Sequence, residues 1–120
     1  MEKERAVWAI EALEKATKIE ILVVGLEEND FCMEMRKLAE AIQKQNHLDE
    51  SVMEQYDIEI QKANDAAEIP DAELSLGDIE CLNEAAFELC DSLEDPKQIM
   101  CNIRLIWNVM YLWSPMCEKG

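Results

Sequence analysis

The sequence predicts an all-α protein, a single-domain bundle of about five helices spanning residues 1–120. Three observations predict it. Apolar residues recur at i, i+3/i+4, i+7 spacing in successive segments. Helix-start and helix-stop residues sit between those segments. Glycine and proline together number only six of 120 residues, while hydrophobic residues make up 49%, which suits a packed helical chain and not a disordered acidic tail. At this length one core is feasible without disulfides or metal.

The elements follow in order. Residues 4–24 predict a first helix, with Ala6, Ile10, Leu13, Thr17 and Val24 near helical spacing and Ala9, Ala16 and Ile21 broadening that face. Trp8, Ile19 and Leu22 lie on the other side, so the helix is expected to be covered on two sides. Glu20 projects onto the apolar stripe. The β-branched run from Ile19 to Val24 also admits a strand, but no partner strand is evident, and helix is favoured. Gly25 suits a C-cap and Asn29 or Asp30 the next N-cap. Phe31, Met35, Leu38 and Ile42 then mark a second amphipathic helix ending near His47.

A third helix is expected to start either at an Asp49 cap, with Leu48 stapled onto Met53, or at a Ser51/Glu54 capping box. Val52, Met53, Tyr56, Ile60, Ala63 and Ala67 share its apolar face, and Pro70 ends or follows it. Ser75 with Asp78 resembles a capping box for the fourth helix, whose apolar face carries Ile79, Leu82, Ala86, Leu89, Cys90 and Leu93. Asp95-Pro96 is a cap followed by proline at the first helical position. The last helix, from about Pro96 to Trp113, is apolar nearly all round. It is expected to be the central helix or an interface covered by another subunit.

The net charge is −16 and the pI about 4.2. This disfavours direct binding to nucleic acid or an anionic membrane, both of which carry charge of the same sign. The five cysteines (Cys32, Cys81, Cys90, Cys101 and Cys117) are odd in number with no CxxC pair, which points to a reducing cytoplasm. Met1 to Arg5 leads into an amphipathic pattern instead of a signal-type apolar run. The stretch from Ile99 to Trp113 is interrupted by Asn102, Arg104 and Asn108 and is too short and polar to span a bilayer.

The charge is concentrated. Residues 49–95 hold sixteen acidic residues against one basic residue, Lys62. The rest of the chain is nearly neutral. At about 100° per residue, Glu80, Glu84, Glu88 and Asp91 form a stripe on the fourth helix, and Glu54, Asp57, Asp65 and Glu68 one on the third. Like charges at i, i+4 cost a few tenths of a kcal/mol per pair, and solvated faces usually mix signs to avoid this. Duplex DNA carries one charge per about 1.7 Å of axis, so the segment approaches the charge density of nucleic acid. Ile58 projects beside Glu54 and Asp65, a candidate apolar anchor within the acidic face.

Other chemistry finds little support. His47 is the only histidine, which excludes a Glu-x-x-His di-iron pair and most His-based zinc sites. The cysteines are too scattered for a zinc motif. No phosphate loop, calcium loop or nucleophile elbow is present. Glu11-x-x-Glu14 followed by Glu27-x-x-Asp30 resembles the carboxylate motif of the all-α nucleoside triphosphate pyrophosphohydrolases. The resemblance covers these four residues and implies magnesium-dependent nucleotide hydrolysis.

The leading expectation is a non-enzymatic interaction or inhibitor protein with no catalytic residue, metal or cofactor. It would use Glu54, Asp57, Ile58, Asp65, Glu68, Glu80, Glu84, Glu88 and Asp91 to occupy a basic surface of a partner, such as a nuclease or another nucleic-acid-binding protein. Phage anti-defence inhibitors and the immunity proteins of nuclease toxins are of this kind. The alternatives are a structural protein that homodimerises through its apolar last helix and the magnesium-dependent hydrolase.

Overall fold

A computed structural model describes residues 2–24, 30–69, 73–101 and 104, with side chains over 2–19, 32–69, 73–101 and 104. Four helices follow in order: α1 (Lys3–Val24), α2 (Asp30–Gln45), α3 (Glu50–Ala66) and α4 (Leu76–Ser92). No strand occurs among the described residues, and the 19–24 run is the last part of α1. Among the described elements, α1 is the centre. It packs on α2, α3 and α4, while α2 also meets α4 and α3 meets only α1.

The sequence of α1 explains this position. Ala6, Val7, Ala9, Ile10, Ala12, Leu13, Ala16 and Ile19 are all buried. At about 100° per residue they cover roughly two thirds of the helix circumference. Four of them are alanines, so neighbouring helices can approach closely. Met35, Leu38 and Ile42 of α2 and Ile79, Cys81, Leu82, Ala85, Ala86 and Leu89 of α4 complete the core. The sequence-based expectation gave a central or interface role to a last helix from about Pro96 to Trp113. Residues 105–120, which hold most of that last helix, lie outside the described residues.

The caps resolve the open alternatives. Asp49 is the N-cap of α3, its side chain accepting from the Val52 amide, and not Ser51. Ser75 and Asp78 form the capping box of α4. Asp95 accepts from the Lys97 amide at 3.2 Å, and the Met100 amide donates to the Pro96 carbonyl at 3.0 Å. The helical stretch 97–101 therefore starts where expected.

The ends of α2 and α3 share one geometry. At the end of α2, His47 has φ 53°, its amide donates to Lys44, and the Leu48 amide donates to Gln43. At the end of α3, Glu68 has φ 57°, its amide donates to Asp65, and the Ile69 amide donates to Asn64. Both are Schellman turns, in which a left-handed residue lets two amides return to the last carbonyls. Glycine is the usual occupant, and a side chain there costs about 1 kcal/mol. Buried Leu48 supplies the apolar contact that often accompanies such a turn.

α3 packs through most of its predicted face, with the burial shifted toward Asn64. Ile60 and Asn64 are its buried residues, with Val52, Met53 and Tyr56 packed against the core. Ala63 and Ala67, expected on the apolar face, are exposed. The shift has a simple cause. The α1 surface that α3 covers is the polar arc of α1, so a polar Asn64 faces it in place of an alanine. Leu93, also expected in the core, is the C-cap of α4 and is exposed.

Candidate interaction surface and the α1–α3 cleft

α4 is pinned to α1 by a buried carboxylate. Asp78 has no exposed surface. Its Oδ1 accepts from Trp8 Nε1, and its Oδ2 accepts from the Ser75 amide at 3.0 Å and from Lys15 Nζ at 3.1 Å. The Asp78 amide in turn donates to Ser75 Oγ at 3.1 Å. One residue thus caps α4 and ties it to two turns of α1. Trp8 also lies close against Gly77, where an added Cβ would fall 2.9 Å from Cζ2 of the indole. The local sequence marks Asp78 only as a cap, because its other partners, Trp8 and Lys15, lie on α1 far away along the chain.

The outer face of α4 carries the expected stripe in modified form. Glu80, Glu84 and Asp91 are exposed, whereas Glu88 is half-buried. Glu84 Oε2 accepts from Arg5 Nε at 2.9 Å, so this carboxylate is partly neutralised by α1. The Arg5 guanidinium is held above its usual pKa by the thiolate that Cys81 becomes at the high pH where Arg5 titrates, by Glu84 and by Glu80. Cys81 itself is pushed up to about 11 by burial. Two residues missed in the sequence belong to this face. Leu76 and Phe87 are 64% and 50% exposed and project within the same arc as Glu80 and Asp91. Their spacing of eleven residues, three helical turns, was the available signal.

The α3 stripe divides. Glu54 and Asp65 are exposed, and Ile58 between them is 57% exposed. Asp65 accepts from Gln61 at 3.1 Å. Asp57 is exposed but lies on the α1 side of the helix, where it lines one cleft with Glu11 and raises that carboxyl's pKa. Glu68 is not on the helix at all, because it is the left-handed residue after the Ala67 cap. Among the described residues α3 and α4 do not touch. The two acidic helices flank α1 as separate faces.

Between α1 and α3 lies a cleft lined by Glu11, Glu14, Lys15, Lys18, Asp57, Gln61 and Asn64. Glu11 Oε2 is buried with no donor reaching it. Burial, then the bond to Asp57 and the like charges of Asp57 and Glu14, push the Glu11 carboxyl up to about 8, against a smaller opposing pull from Lys15. Two carboxyl groups bond only when one keeps its proton, and Glu11 is the one that keeps it.

Of the four residues in the pyrophosphohydrolase resemblance, Glu11 and Glu14 line this cleft. Glu27 and the Asp30 side chain lie outside what is described. Among the described residues no three His, Cys, Asp or Glu side chains are placed to hold a metal ion, and no described helix is long and apolar enough to cross a membrane. His47 occupies the left-handed position of a helix-ending turn. Among the described residues Cys32, Cys81, Cys90 and Cys101 form no disulfide, and Cys117 lies outside the described residues. No protein-family model, no curated protein and no solved structure matches this chain.

Proposed function

We propose that the chain is a non-enzymatic inhibitor or interaction protein of the cytoplasm whose acidic α3 and α4 faces occupy a basic, nucleic-acid-binding surface of a partner protein. The observation that carries this reading is the composition of the outer α4 face. Leu76 and Phe87 stand exposed among Glu80, Glu84 and Asp91. Carboxylates alone would favour encounter with any basic surface. Exposed apolar residues among them add the desolvated contact from which most binding energy comes. On α3, Ile58 stands in the same relation to Glu54 and Asp65. The partner surface would carry arginine or lysine around shallow apolar depressions, and association would be fast and salt-sensitive. The mechanism is competition with nucleic acid for that surface.

The test is capture from cell extract by the wild-type chain and by a variant with Glu80, Glu84 and Asp91 replaced by lysine. The expected result is a nucleic-acid-binding protein retained by the wild type, released by salt, and lost in the variant while helicity is preserved. Equal retention by both chains would remove the reading.

A second reading is favoured by the start of the last helix, where Pro96, Lys97, Met100, Cys101 and Arg104 line an apolar depression and Met100 is exposed. A second copy of the chain could cover it. Sedimentation over a range of concentrations decides this, and a strict monomer would exclude it.

A further inference from the structure

We infer that Glu11 and Asp57 form a proton-sharing latch that holds α3 on α1, and that loss of the shared proton releases α3. The inference stands on the α1–α3 junction and not on what α3 binds.

The geometry sets up the latch in three ways. First, α3 packs on no described helix except α1, and it buries only Ile60 and Asn64. Val52, Met53 and Tyr56 are only partly buried against the core, so its apolar anchorage is lighter than that of α4 and a polar contact at the junction carries weight. Second, that contact is between two carboxyl groups, with one Glu11 oxygen buried and reached by no donor. Third, the cation that would neutralise an ionised Glu11 is engaged elsewhere. Lys15 is its attractive neighbour, but Lys15 Nζ lies 3.1 Å from the buried Asp78 carboxylate of α4.

The groups around Glu11 are these. From its own helix, Glu14 repels the charged form, Lys15 attracts it, and Lys18 completes the cleft wall. From α3 come Asp57 and the neutral amides of Gln61 and Asn64. From α4, Asp78 acts only by holding Lys15. With the proton present, Glu11 donates to Asp57 and the junction is closed. On release, the Glu11 O–H bond breaks and the proton passes to water or buffer base. Two like charges then face each other across a half-buried cleft.

The sign follows from linkage. Closed, Glu11 keeps its proton up to about pH 8. Open, it is a hydrated carboxyl with an ordinary value. Opening therefore becomes more favourable as pH rises through the window between the two, and levels off above it.

The test uses the full chain and two readouts. Carbon-13 NMR of the Glu11 carboxyl is expected to show a midpoint near pH 8. Amide exchange across α3, divided by the intrinsic chemical rate, is expected to show protection falling by about tenfold or more from pH 6 to pH 9, one unit of displaced titration being worth tenfold. In Glu11→Gln the amide still donates to Asp57, so α3 should stay protected at pH 9 and its pH slope should vanish. Asp57→Asn, at an exposed position, should move the Glu11 midpoint down toward the ordinary range. A Glu11 midpoint in that range in the wild type, or parallel pH slopes in wild type and Glu11→Gln, would overturn the latch.

Discussion

α3 and α4 are closely matched in sequence and held in opposite ways. Each is a 17-residue helix with an Asp or Ser N-cap, an acidic residue in its first turn and no basic residue in its last. α4 buries seven residues, among them a carboxylate satisfied by three donors from two helices. α3 buries two, and its carboxylate contact with α1 lacks a donor unless a proton is supplied. A buried charge with a complete set of partners fixes a helix in place. A carboxyl pair without partners makes attachment conditional on pH. The difference arises on α1, whose apolar arc faces α4 and whose Glu11–Glu14–Lys15–Lys18 arc faces α3.

The sharpest way to break the contrast is Asp78→Ala. It leaves Lys15, Trp8 Nε1 and the Ser75 amide without their acceptor. Removing one partner of a buried ion pair costs about 3–5 kcal/mol, so the unfolding free energy from chemical denaturation should fall by that amount. Replacement of exposed Glu54 on α3 should change little. Gly77→Ala comes next. The new methyl meets the Trp8 ring at 2.9 Å, and overpacking of this kind costs about 1–3 kcal/mol. The helix-propensity gain of at most ~1 kcal/mol offsets part of it, leaving a net loss readable by thermal unfolding.

The pH dependence sharpens the other side. Burial and the Asp57 contact raise Glu11 in the fold from 4.5 to about 8. Between those values the folded chain binds a proton that the unfolded chain has lost. Global stability therefore falls as pH rises through that interval and becomes flat above it, as far as this group is concerned. Glu11→Gln should remove the slope and be more stable than the wild type at pH 9, as measured by urea denaturation.

Smaller effects are expected at the helix ends and the surface. His47→Gly and Glu68→Gly each relieve a left-handed side-chain position and should each stabilise by up to about 1 kcal/mol. Arg5→Ala removes an exposed ion pair with Glu84, and thermal unfolding should move by less than about 1 kcal/mol.

Much of the helix layout was legible in the sequence, because it is written locally. The Ser75/Asp78 box, the Asp49 cap and the Phe31–Ile42 spacing each need only a few neighbouring residues. On α3, the shift of burial toward Asn64 was not legible. Its carboxylates, Glu59 apart, fall within one arc of about 80°, so Asp57 at the edge of that arc looked like part of the outward stripe until α1 supplied Glu11 opposite it. The burial of Asp78 was hidden for the same reason: its partners Trp8 and Lys15 lie about seventy and sixty residues away. Phe87 was passed over because it sits among Ala85, Ala86 and Leu89, where an aromatic residue reads as core. Among the described elements the centre is α1, whose small alanines conceal how completely it is covered.

The central claim is that the acidic outer faces compete with nucleic acid for a partner's basic surface. The most direct measurement takes the protein captured by the wild-type chain and titrates that complex with duplex DNA at fixed salt. The account predicts displacement of the chain in proportion to DNA binding, with weaker resistance to DNA when Phe87 is replaced by alanine. A complex in which the partner binds DNA and this chain simultaneously, each with unchanged affinity, would contradict it.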